Sequence, residues 1–112
     1  MLNWEEYRKE IAERVKILAK HSPETIKGYK TLTDAGKSTN HLTPKIRELI
    51  GIAVAVTTRC DGCISVHTKE ALKHGATLDE ISEALGVAIA LNAGAAMVYA
   101  ARVMDAVADH TK

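Results

Sequence analysis

Thr43-Pro44-Lys45-Ile46-Arg47-Glu48-Leu49-Ile50-Gly51-Ile52-Ala53-Val54-Ala55-Val56, running on into Thr57-Thr58-Arg59-Cys60-Asp61-Gly62-Cys63, is the stretch on which the fold turns. Its middle is apolar on every side and rich in β-branched residues, a pattern that a buried strand and a buried helix share. The opening breaks the tie. Thr43 before Pro44 is an N-cap and first-position pair, the run on to Arg59 is about 16 residues long, and the surroundings are helical. That length and that start read as a buried helix.

The flanking sequence is helical too. Tyr7, Ile11, Val15 and Leu18 fall near helical spacing within Trp4 to Lys20, with charges between them. Ser22-Pro23-Glu24 starts a second helix to about Ala35, where Gly36 should end it, and Lys37 to Leu42 is a polar connector. After the cysteines a fourth helix runs to His74, with Gly75 as its C′ stop. Thr77-Leu78-Asp79-Glu80 is a capping box that launches a fifth helix through Ile81, Leu85, Ala88 and Ile89. Asn92-Ala93-Gly94 should break or kink it before a sixth helix, Ala95 to about Ala108. The expectation is one all-α domain, 1–112, of about six helices, with the C-x-x-C at the N-terminus of a core helix.

Bulk properties narrow the function classes. A net charge of +1, with basic and acidic residues interleaved, gives no electrostatic footprint for nucleic acid or an anionic membrane. Met1-Leu2-Asn3-Trp4-Glu5-Glu6 lacks a basic region followed by an apolar one, as a secretory signal would need. The run Ile50 to Val56 is too short to span a bilayer. A cytoplasmic protein is expected. In such a chain a Cys-x-x-Cys pair points to redox chemistry or metal rather than to a structural disulfide scaffold.

Glu48, Cys60, Cys63 and His67 form the one constellation that carries chemistry. If the fourth helix starts near Cys60, Cys63 lies in its first turn, where unpaired N–H groups and the macrodipole favour a thiolate. Such a site lowers a thiol pKa from about 8.5 towards neutrality. His67, four residues on, shares the helical face of Cys63 and can take its proton or pair with the thiolate. Glu48 enters an apolar helix, which is costly without a partner. A turn at Thr57 to Cys60 that folds the fourth helix back along the third lets Glu48 reach His67.

Other readings stand beside this one. A zinc site needs a fourth ligand from Glu48, His41 or His74, and inert buried cysteines are the structural alternative. C-type haem attachment fails because Ile64, not histidine, follows Cys63. His21, His74 and His110 read as helix-end residues, Trp4 and Tyr7 as a packing anchor or subunit contact. Tyr99 reads as core or pocket lining, and Met97 and Met104 as gap-filling core. The residues alone leave open which cysteine is the nucleophile, since in many C-x-x-C helices it is the first.

Glu48-x11-Cys60-x2-Cys63-x3-His67, with Thr43 to Ile50 before it and Lys69-Glu70-Ala71-Leu72-Lys73-His74-Gly75-Ala76-Thr77 after it, resembles the alkylhydroperoxidase D (AhpD)-like motif of the carboxymuconolactone decarboxylase superfamily. The likeness covers roughly residues 43–106. It implies a helical fold assembled as trimers or hexamers, and peroxide reduction by a cysteine pair without a cofactor. By position it implies that Cys63 is the peroxidatic thiolate, Cys60 the resolving thiol, and His67 with Glu48 the proton relay. Implied partners are a small hydroperoxide or disulfide and a thioredoxin- or lipoyl-type thiol reductant. The peroxidase that names the motif has a histidine directly before the second cysteine, where this chain has Gly62. That departure removes one member of its proton relay and leaves general thiol–disulfide exchange as a live variant of the same chemistry. The other superfamily branch, lactone decarboxylation without a cysteine pair, is the competing activity, and a non-enzymatic assembly or metal-binding module is the third reading.

Overall fold

A computed structural model describes all residues, Met1–Lys112. Five helices and no strand account for it: α1 (Trp4–His21), α2 (Pro23–Thr39), α3 (Pro44–Thr58), α4 (Asp61–Lys73) and α5 (Leu78–His110). The all-α expectation holds. In space they follow the order α2, α1, α4, α3, α5, each helix packed on the next.

The caps explain most boundaries. Thr43 Oγ1 accepts from the Ile46 N–H at 3.3 Å and starts α3 with Pro44 as its first residue. At the end of α4, the Ala76 N–H reaches Ala71 O and the Gly75 N–H reaches Leu72 O, the paired bonds of a Schellman cap. Gly75 makes this turn at φ 85°, where a side chain would be strained. Thr77 and Glu80 complete the capping box, 3.0 and 3.1 Å, that begins α5. Lys45 Nζ lies 2.8 Å from Glu80 Oε2 and ties the start of α3 to the start of α5.

Two expected boundaries are corrected. Gly36 does not end α2, which continues to Thr39 and stops at Asn40 in the left-handed region, φ 51°. Gly36 instead makes room for Arg47: a Cβ there would lie 3.0 Å from Arg47 Cδ. The Arg47 guanidinium donates to Gly36 O, Asn40 Oδ1 and Leu42 O, fastening the connector onto α3. Nor does Asn92-Ala93-Gly94 break the last helix, so there are five helices and not six. Asn92 Nδ2 donates to Ala88 O at 2.7 Å within α5 and to Thr57 Oγ1 at 2.8 Å on α3, so the polar side chain fastens the helix rather than ending it.

The core is small. Ile52, Ala71 and Ala76 form its centre where α3, α4 and the α4–α5 turn meet, with Leu49, Ile81 and Leu85 packed around them. Only six residues of 112 are buried. The radius of gyration is 18.6 Å, against about 13 Å for a compact chain of about 100 residues. Met97 and Met104, expected in the core, are 73% and 64% exposed, and Tyr99, expected as core or lining, is 68% exposed. Uninterrupted, α5 is long and apolar enough to cross a membrane by length and composition, which the run Ile50 to Val56 is not.

Candidate functional site

The site lies where α3 and α4 run side by side. Arg59 ends α3 in the left-handed region, φ 55°, and the next residue, Cys60, is already the N-cap of α4. The reversal therefore takes almost no chain. Asp61 and Gly62, between the cysteines, are the first residues of the α4 helix.

Cys60 and Cys63 are joined as a disulfide, with Cα atoms 5.2 Å apart. Cys60 Sγ accepts from the Cys63 N–H at 3.2 Å, so a sulfur occupies the capping position that an oxygen usually fills. Both sulfurs thus sit at the positive end of a helix with unpaired N–H groups, where negative charge is stabilised once the bond is reduced. No three His, Cys, Asp or Glu side chains converge as a metal ion would require.

His67 stands one turn beyond Cys63 on α4, and its Nδ1 lies 2.7 Å from Glu48 Oε2 on α3. A carboxylate can only accept, so Nδ1 carries the hydrogen and Nε2 is left with its lone pair as the basic nitrogen. The Glu48 side chain is 22% exposed and that of His67 35%. The pair is sheltered enough to hold its geometry and open enough to exchange protons with solvent.

Sequence reasoning missed Gly51. It sits one turn after Glu48, facing the imidazole: a Cβ there would come within 3.0 Å of His67 Cγ and 3.1 Å of Nδ1. The absent side chain lets the ring lie against the α3 backbone with Nδ1 on Glu48. A signal for it existed, because glycine inside a helix costs about 1 kcal/mol relative to alanine and needs a packing reason. Gly62 is the converse, with nothing within 4 Å of a built Cβ. His21, His41 and His110 form no hydrogen bond or ion pair with the four residues of the site, and His74 pairs with Glu70 at 3.7 Å.

Residues 23–106 match the model of the carboxymuconolactone decarboxylase family. The chain belongs to that family. This carboxymuconolactone decarboxylase family chain is 45% identical over 104 residues to an uncharacterized protein of Haemophilus influenzae, covering 93% of this chain and 92% of that one. An uncharacterized protein of Cupriavidus necator is 30% identical over 95 residues, with 85% and 84% covered. Among solved structures, the apo form of a carboxymuconolactone decarboxylase family protein from Legionella pneumophila superposes with a TM-score of 0.74 at 32% identity, covering 97% of each chain. A protein from Methanobacterium thermoautotrophicum gives 0.67 at 38% identity over 73% of this chain and 94% of that one. Family membership thus rests on the fold and the sequence together.

Proposed function

We propose that this chain is a thiol-dependent reductase of hydroperoxides or disulfides, working through Cys60 and Cys63 with Glu48 and His67 as proton handlers. The observation that carries this reading is the Glu48–His67 contact one helical turn from a cysteine pair seated on a helix N-terminus.

The reduced enzyme starts with the Cys63 proton on His67, whose imidazolium is held by Glu48. The Cys63 thiolate attacks the terminal oxygen of the hydroperoxide, the O–O bond breaks, and Cys60 gives its proton to the leaving alkoxide. An alcohol departs and Cys63 is left as a sulfenic acid. The Cys60 thiolate then attacks that sulfur, forming the disulfide, and the hydroxide leaves as water with the proton from His67. Two thiols and one hydroperoxide have become a disulfide, an alcohol and water. An external dithiol, of thioredoxin or lipoyl type, restores the thiols by exchange.

Gly62 favours the second form of the same chemistry, in which a small disulfide rather than a peroxide is the oxidant. The test is consumption of cumene hydroperoxide, and separately of a small disulfide, with dihydrolipoamide or thioredoxin as reductant. Wild type should turn over one of them and Cys63→Ser neither. A Cys60→Ser/Cys63→Ser variant that keeps full lactone decarboxylation would replace this reading with the lyase one.

The same proposal includes a cytoplasmic homo-oligomer, a trimer or hexamer, as a single domain that binds neither nucleic acid nor membrane. Its support is the extended chain and the exposed apolar half of α5, which copies of the chain would cover in place of lipid. Light scattering reads it directly, and a monomer would contradict it.

A further inference from the structure

A groove of about 390 Å³ runs between α1 and α4, lined by Trp4, Arg8, Ile64, Ser65, Lys69 and Leu72 among others. Helical periodicity puts Ser65 and Leu72 across α4 from Cys63 and His67, so this is not the redox site. Its walls are mainly apolar, with two cations. Arg8 is half-buried, and its Nη1 donates to Ser65 Oγ at 3.0 Å. Ser65, only 3% exposed, donates in turn to Trp4 O at 3.2 Å. That relay fixes the guanidinium at the groove wall while using one of its donors.

No carboxylate of the chain pairs with Arg8 or Lys69; the ion pairs of the structure all lie elsewhere. With only one donor used, the Arg8 guanidinium keeps the rest of its planar fork free, and that fork matches a carboxylate. Small-molecule sites combine largely apolar walls with a few placed polar groups, at volumes of about 300–1,000 Å³. We propose that this groove binds a small amphipathic carboxylate, its apolar tail along Trp4, Ile64 and Leu72 and its anionic head on Arg8 and Lys69. The inference does not rest on the redox reading.

Trp4 is the single tryptophan, so its fluorescence reports occupancy directly. Titration of the full chain with decanoate should change the emission saturably, and decanol should bind at least about tenfold more weakly. Arg8→Gln removes a contact that also holds α1 on α4, so Lys69→Gln, which breaks no contact seen here, is the cleaner variant. It should weaken decanoate at least about threefold and leave decanol unchanged. No saturable change, equal binding of decanol, or full decanoate affinity in Lys69→Gln would each overturn the proposal.

Discussion

His67 Nδ1 and Glu48 Oε2 meet at 2.7 Å across two helices, although the residues are 19 positions apart in the chain. The contact exists because Arg59 reverses the backbone in one residue and lays α4 along α3. It fixes the tautomer of the imidazole and leaves Nε2 as the free base. Removing either partner should therefore cost turnover without unfolding the chain. His67→Gln is expected to lower turnover about 100-fold, in the range for loss of a general acid–base group. Glu48→Gln, which keeps the shape and loses the charge, should cost about tenfold, with circular dichroism unchanged in both.

Gly51 sets how close the ring can come. Gly51→Val places methyl groups where the imidazole now lies, so it should lower turnover about tenfold or more by displacing His67. Gly28 has nothing within 4 Å of a built Cβ and serves as the control. Gly28→Ala should raise stability by about 0.5–1 kcal/mol in thermal or urea unfolding and leave turnover alone.

The helical segments were largely legible in the sequence because Thr43-Pro44, Gly75 and Thr77–Glu80 are local devices whose partners lie within a few residues. Gly36 and Asn92 misled for the opposite reason. Each looks like a helix stop when read locally, yet each is held inside a helix by a partner on another element, Arg47 for one and Thr57 for the other. The exposure of Met97 and Met104 was equally hidden, since composition cannot say which apolar face a small core will leave uncovered. The four candidate site residues were visible as a spacing. The role of Gly51 was not, because it depends on a ring that arrives from another helix.

Gly62 offers a gain-of-function test. Its surroundings are open and its φ lies outside the left-handed region, so a larger side chain enters without strain. Gly62→His restores the histidine found before the second cysteine in the peroxidase that names the motif. Peroxide turnover should rise about tenfold or more while disulfide reduction changes little. Unchanged peroxide turnover would show that the missing relay histidine is not what limits this chain.

At the start of α5, Glu80 is held below the usual carboxylate range, first by its hydrogen bond with Lys45 and then by the Thr77 N–H. A carboxyl depressed on folding stabilises the fold above its unfolded pKa, about 4.3, and that contribution is lost as pH falls through the lower folded value. Melting of Glu80→Gln should therefore fall furthest below wild type near neutrality and converge on it towards pH 3. Both side chains are about a third exposed, so added salt should shrink the difference. Thr77→Ala should cost about 1 kcal/mol as the loss of an N-cap.

Reactivity of the reduced cysteines at pH 6 tests the account most directly. After reduction and removal of the reductant, iodoacetamide labelling followed by peptide mass spectrometry separates Cys60 from Cys63. A thiolate held at the α4 N-terminus beside His67 predicts labelling confined to Cys63 and at least about tenfold faster than free cysteine. Labelling no faster than free cysteine at either position would contradict a redox-active pair in this chain.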